Sequence, residues 1–133
     1  MSDLDMPTNR TINALVIDDD EDTVNLFTEF LEIYNVSVIG KAFDGLQATD
    51  LYSKTLPDVV FSDVMMPEYD GFYVLENIKK LNPAAIIIMI TGDVRRDTID
   101  KLEKLGADAI LYKPFDMQVL MNVVNNLLQK TST

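Results

Sequence analysis

The chain contains no cysteine and no histidine among its 133 residues. Without thiols there is no disulfide framework, no zinc–thiolate site and no cysteine nucleophile. Without imidazole, the commonest general base and the commonest phosphoryl-carrying side chain are missing as well. Positive charge is scarce: 11 Lys and Arg stand against 22 Asp and Glu, a net charge of −11. Binding to nucleic acid or to an anionic membrane depends on neutralising phosphates, so neither is expected as a partner. The longest apolar run, residues 84–90, is far short of a membrane span. Residues 1–10 are polar, with Asp3 and Asp5 where a signal peptide carries positive charge. The expectation is a cytoplasmic protein whose chemistry runs on carboxylates, hydroxyls and lysine.

What is present is enough for one domain with a real core: 47% of the residues are hydrophobic and 25% charged. Short apolar runs at 14–17, 36–39, 59–61, 85–90 and 109–112 alternate with longer segments of helical period. Strand starts near 13, 36, 59, 85 and 109 lie 23, 23, 26 and 24 residues apart. That interval is too long for a hairpin and suits a strand, a helix and two loops. The runs are apolar on successive residues, as in parallel strands covered on both faces. Residues 20–34 place Val24, Phe27, Phe30, Leu31 and Tyr34 on one helical face. Residues 116–130 do the same with Met117, Leu120, Met121, Val124, Leu127 and Leu128. Asp44 or Gly45 begins the second helix, and Leu56-Pro57 and Asn82-Pro83 end the second and third. Gly106 follows Leu105 where a left-handed cap is wanted. The predicted architecture is α/β, a (βα)5 doubly wound parallel sheet over residues 12–130, with tails at 1–11 and 131–133.

Ligands of open α/β sheets bind beyond the carboxyl ends of the strands. There the first run ends in Asp18-Asp19-Asp20, the third in Ser62-Asp63, the fourth in Thr91-Gly92 and the fifth in Lys113-Pro114. Carboxylates crowded at one edge repel each other, and a hard divalent cation such as Mg2+ relieves that repulsion. Thr91 and Lys113 would supply a hydrogen bond and a positive charge to phosphoryl oxygens, and a carboxylate would be the nucleophile. Capping of helix N-termini explains Asp20, Asp22 and Asp116 well. It explains Asp63 poorly, because Val64-Met65-Met66-Pro67 does not continue as a helix. Asp18, Asp20, Asp22 and Glu29 imitate an EF-hand loop, but Thr23 stands where glycine is needed.

Ile17-Asp18-Asp19, Ser62-Asp63-Val64-Met65-Met66-Pro67, Asp70-Gly71, Thr91-Gly92 and Lys113-Pro114-Phe115 together resemble the receiver domain of two-component response regulators. The resemblance covers residues 12 to 130 and is of the stand-alone, CheY-like kind. It implies a flavodoxin-like strand order 2-1-3-4-5 and a phosphorylation-activated signalling switch rather than a turnover enzyme. By position, Asp63 is the phosphoacceptor, receiving its phosphoryl group from a sensor histidine kinase or phosphotransfer protein. Asp18, Asp19, Asp63 and the backbone carbonyl of Met65 hold Mg2+. Lys113 pairs with Asp63, Thr91 moves to bond the phosphoryl group, and Lys113-Pro114 matches a cis-proline position.

The chain departs from that pattern in places. Ile110 stands where the family often carries an aromatic switch, with Tyr112 at the same strand parity, and Tyr69 replaces a common Met. Met65 and Asp93 flank the path of attacking water. Signalling is therefore expected to run through the 91–94 loop and the start of the fourth helix, towards a downstream protein. Amides at Gln118, Asn122, Asn125, Asn126 and Gln129 occupy the face where relatives form charge-paired dimers, which favours a monomer. Two alternatives remain: a phosphatase of the haloacid dehalogenase type, on the DxDxV-like 20–24 segment with Asp20 as nucleophile, and a pseudo-receiver that binds without phosphorylation.

Overall fold

A computed structural model of the chain describes residues 11–131, so the expected tails at 1–11 and 131–133 lie outside the described residues except for residue 11 and for Thr131, which belongs to the last helix. The elements alternate strictly: β1 (Ile12–Ile17), α1 (Glu21–Ile33), β2 (Val36–Ala42), α2 (Gly45–Thr55), β3 (Val59–Asp63), α3 (Gly71–Leu81), β4 (Ile87–Thr91), α4 (Arg96–Lys104), β5 (Ala109–Tyr112) and α5 (Met117–Thr131). All strand pairs are parallel and the order is β2-β1-β3-β4-β5, as the resemblance implied. The three central strands are almost entirely buried, which explains their continuous apolar runs.

Two apolar layers sandwich the sheet. Leu15, Ile17, Val60, Ile87 and Met89 face Val74, Leu75, Ile78 and Leu102 of α3 and α4. Val16, Phe61, Ile88 and Ile90 face Val24, Leu31, Leu120 and Val124 of α1 and α5. Side chains of alternating parity thus load both faces of one strand. At the amino end of the sheet, Lys79 Nζ bonds Asp108 Oδ2 at 2.9 Å and the Ala85 carbonyl at 2.7 Å, tying α3 to β4 and β5.

Helix starts follow the sequence chemistry. Asp20, Asp44 and Asp70 cap α1, α2 and α3 by accepting from the backbone N–H of Thr23, Gln47 and Tyr73. Gly106 takes the expected left-handed conformation, with φ 99°. Leu56 ends α2 ahead of Pro57, as expected, in a left-handed conformation at φ 48°, ψ 61°, and its N–H bonds the Tyr52 carbonyl. Two details differ from expectation. Phe30 of α1 and the C-cap residue Tyr34 are 43% and 40% exposed, because Val24, Thr28 and Leu31 already fill the contact with the sheet. β4 begins at Ile87; Ala85 and Ile86 are buried ahead of it, with Ala85 N–H bonded back to the Asn82 carbonyl.

Candidate functional site

Strand register brings the polar strand ends together. Ile17 pairs with Ser62 and Asp63 with Ile90, so Asp18 and Asp63 stand at the same level on neighbouring strands. Thr91 pairs with Tyr112, which puts Lys113 one residue further along β5. The Lys113–Pro114 peptide is cis. Carboxylate oxygens of Asp18, Asp19 and Asp63 lie within 4.8 Å of one another. Lys113 Nζ is 3.6 Å from Asp63 Oδ1 and 3.9 Å from Asp18 Oδ2, close enough for attraction but beyond direct hydrogen bonding.

Two of the three carboxylates have a fixed backbone anchor. Asp18 Oδ1 accepts the Asp20 N–H at 2.9 Å, and Asp63 Oδ1 accepts the Val64 N–H at 2.9 Å. Among the described residues Asp63 Oδ2 accepts no hydrogen bond, which leaves it available as a nucleophile. Burial pushes the Asp18 carboxyl above its usual range, and the nearby Asp63 charge adds to the rise, against the Asp20 N–H and Lys113. Burial likewise pushes Asp63 up, more than Lys113 and the Val64 N–H pull it down. The cluster thus carries more negative charge than its lysine compensates. Three convergent carboxylates of this kind match the oxygen donors that Mg2+ takes, with water completing its shell. Met65 lies on the loop beyond β3, where its residue is 61% exposed.

Thr91 is fully buried, and its Oγ1 accepts the Asp93 N–H at 2.9 Å. The Asp93 carboxylate in turn accepts from Arg95 N, Nε and Nη2 and from Thr98 Oγ1. The Arg95 guanidinium holds the Asp93 carboxyl well below its usual range. A continuous set of bonds therefore runs from Thr91 to the first turn of α4. Ile110 is half-buried and packs against the layer under α3 and α4, whereas Tyr112 is 43% exposed. Asp20 does not join the cluster: its carboxylate caps α1 through the Thr23 N–H and hydroxyl. Asp20, the nucleophile of the phosphatase alternative, is thus engaged as a helix cap.

Gly71 is a contributor that its place in a short motif did not explain. Its N–H bonds the Val64 carbonyl at 2.8 Å, and a Cβ there would stand 2.5 Å from the Asp63 carbonyl oxygen. Also unexpected are Leu26 and Phe30 of α1, whose apolar side chains reach the same cavity as Asp63 and Lys113. Their signal was present, since α1 carries more apolar residues than one sheet contact can bury.

Residues 14–125 match the family model described as the response regulator receiver domain. A chemotaxis protein CheY of Halobacterium salinarum is 33% identical over 115 residues, covering 86% of this chain and 95% of that protein. Among solved structures, a response regulator receiver domain protein of Clostridium thermocellum is 29% identical, with a TM-score of 0.85, and covers 91% of this chain and 97% of its own. The CheX–CheY–BeF3–Mg complex of Borrelia burgdorferi superimposes with a TM-score of 0.81 at 28% identity, covering 87% and 88%. Among the described residues no helix is long and apolar enough to cross a membrane.

Proposed function

Since this chain belongs to the response regulator receiver domain family of two-component signalling, we propose that it is a cytoplasmic switch phosphorylated on Asp63. The observation that carries the proposal is the half-buried Asp63 carboxylate at the end of the central strand β3, with one oxygen free and Lys113 Nζ 3.6 Å from the other. The chemistry is displacement at phosphorus. Asp63 Oδ2 attacks, the bond to the donor nitrogen of a phosphohistidine breaks, and the Lys113 ammonium faces the transferred oxygens. Asp18, Asp19, Asp63 and the Met65 carbonyl would hold Mg2+, which supplies positive charge to the phosphoryl oxygens. The donor histidine belongs to a sensor kinase or phosphotransfer protein, in keeping with a chain that has no histidine of its own. The protein acts as a monomer on a downstream protein and turns over no small substrate.

Incubation with Mg2+ and acetyl phosphate, followed by intact mass, tests the assignment. One labile phosphoryl on Asp63 is expected. Continuous release of phosphate without labelling would instead indicate a phosphatase, and neither outcome a pseudo-receiver. Mg2+ is further expected to raise the thermal midpoint, because it binds only the folded cluster and relieves its repulsion. At about ten times its Kd the gain is about 1.4 kcal/mol, or roughly 5 °C. A midpoint indifferent to Mg2+ would contradict the metal site.

The signal leaves by the bonds from Thr91. Moving its hydroxyl towards a phosphoryl group on Asp63 breaks the bond from the Asp93 N–H, and Asp93 anchors the first turn of α4 through Arg95 and Thr98. Ile110 has few χ1 options and cannot report that motion by a large swing. Thr91→Ala is therefore expected to erase most of the phosphorylation-induced amide shifts across α4, while Tyr112→Ala preserves them. The reverse pattern, read by NMR on fully phosphorylated proteins, would place the switch on the aromatic.

A further inference from the structure

Beside the acidic cluster lies a mainly apolar cavity of about 320 Å3, whose charged lining residues are those of the cluster and whose other polar one is Thr23. Asp18, Asp63 and Lys113 mark its charged end, and Leu26, Phe30 and Met117 line the apolar remainder. Phe27 is braced edge-to-face against Phe61, with ring centres 5.4 Å apart, and against Phe115 at 6.1 Å. The cavity wall is thus built from packed rings rather than loose side chains. A phosphoryl group with a one-carbon substituent would leave most of this space unfilled, whereas about 150 Å3 already suffices for a benzene ring in a protein interior. The apolar walls disfavour charge on the body of a leaving group, which would lose its hydration there, and leave only the end beside Lys113 suited to an anion.

We propose that the cavity is a leaving-group site, and that the small phosphodonors this protein prefers are acyl phosphates with an aromatic or similarly bulky apolar body. The inference rests on Asp63 being the phosphoacceptor. In the step, an Asp63 carboxylate oxygen forms a bond to phosphorus while the bond from phosphorus to the acyl oxygen breaks. The electron pair departs with the aromatic carboxylate, and no proton, oxidant or reductant is required. The apolar body lies between α1 and α5, and the anionic end meets Lys113.

Phosphorylation rates with benzoyl phosphate and acetyl phosphate, measured by intact mass in Mg2+, test this directly. The benzoyl-to-acetyl ratio is expected to fall about tenfold in Phe30→Ser and in Leu26→Ser, the scale on which an apolar pocket discriminates small groups. Because Phe30 and Leu26 are 43% and 54% exposed, neither change empties the core. Phe30→Leu, which keeps the wall apolar, is expected to retain most of the ratio. Benzoate added to the protein with Mg2+ should shift the amides of α1 and the start of α5, and should do so less in Phe30→Ser. A ratio equal in wild type and variants, or benzoate shifts absent from α1, would overturn the proposal and leave the groove to protein donors. Labelling by neither phosphate would overturn the role of Asp63 instead, and the benzoate map would still decide the cavity.

Discussion

Asp63→Asn is expected to abolish phosphorylation and, in metal-free solution, to raise the thermal midpoint by roughly 4 °C, equivalent to about 1 kcal/mol. The two effects have one origin. The carboxylate that serves as nucleophile is half-buried beside Asp18 and Asp19, and that partial burial raises its pKa despite the attraction of Lys113 and the bond from the Val64 N–H. A raised carboxyl pKa means that the ionised form is less favourable in the folded chain than in the unfolded one. The amide keeps the shape and still accepts from the Val64 N–H, but removes a charge that the fold tolerates at a cost. Lys113 loses a partner, a minor loss for an ammonium whose side chain is 41% exposed and which still faces Asp18. With Mg2+ present the order reverses or closes, because wild type gains the bound cation and the variant lacks one of its ligands. Intact mass with acetyl phosphate and two thermal scans, with and without Mg2+, check both halves. Labelling at an unchanged rate would remove Asp63 from the mechanism. A lower metal-free midpoint would mean that the lysine, and not desolvation, dominates at this site.

This coupling of stability to site chemistry also explains which parts of the molecule were legible in the sequence. The five strands were visible because a parallel sheet covered on both faces needs unbroken apolar runs, and Asp18, Asp63, Thr91 and Lys113 stood out by terminating them. Their convergence required strand order and register, which periodicity alone does not carry and the family resemblance supplied. Features that depend on three elements meeting were out of reach. Phe30 shares a helical face with Val24, but Val24 lies under α1 while Phe30 is left beside the cavity near α5. The end of α2 at Leu56-Pro57 was legible, but not the left-handed conformation in which the Leu56 N–H closes a bond to Tyr52. The route from Thr91 to the start of α4 was expected, but not the bonds through Asp93 to Arg95 along it, since a short polar stretch has no period to reveal which side chain bonds which.

Gly71→Ala is expected to lower stability by about 3 kcal/mol, the upper end for overpacking, with a fall in the midpoint on the order of 10 °C. The added Cβ would stand 2.5 Å from the Asp63 carbonyl oxygen, 2.6 Å from the Val64 Cα and 2.8 Å from the Met89 Cε. Met89 can turn aside, but the first two are backbone atoms at the end of a central buried strand and cannot. The start of α3 would have to retreat, stretching the bond from the Gly71 N–H to the Val64 carbonyl that now measures 2.8 Å. That bond holds the chain where it leaves β3, so the Asp63 carboxylate would shift against Asp18 and Lys113. Phosphorylation by acetyl phosphate should therefore slow even at temperatures where the variant is fully folded. Gly92→Ala is the matched control, because a Cβ there meets nothing within 4 Å. At such an open site, alanine leaves stability unchanged or raises it by roughly 0.5 kcal/mol through the unfolded chain. If Gly71→Ala and Gly92→Ala melt within about 2 °C of each other, a difference of well under 1 kcal/mol, close backbone packing is not what glycine serves at position 71.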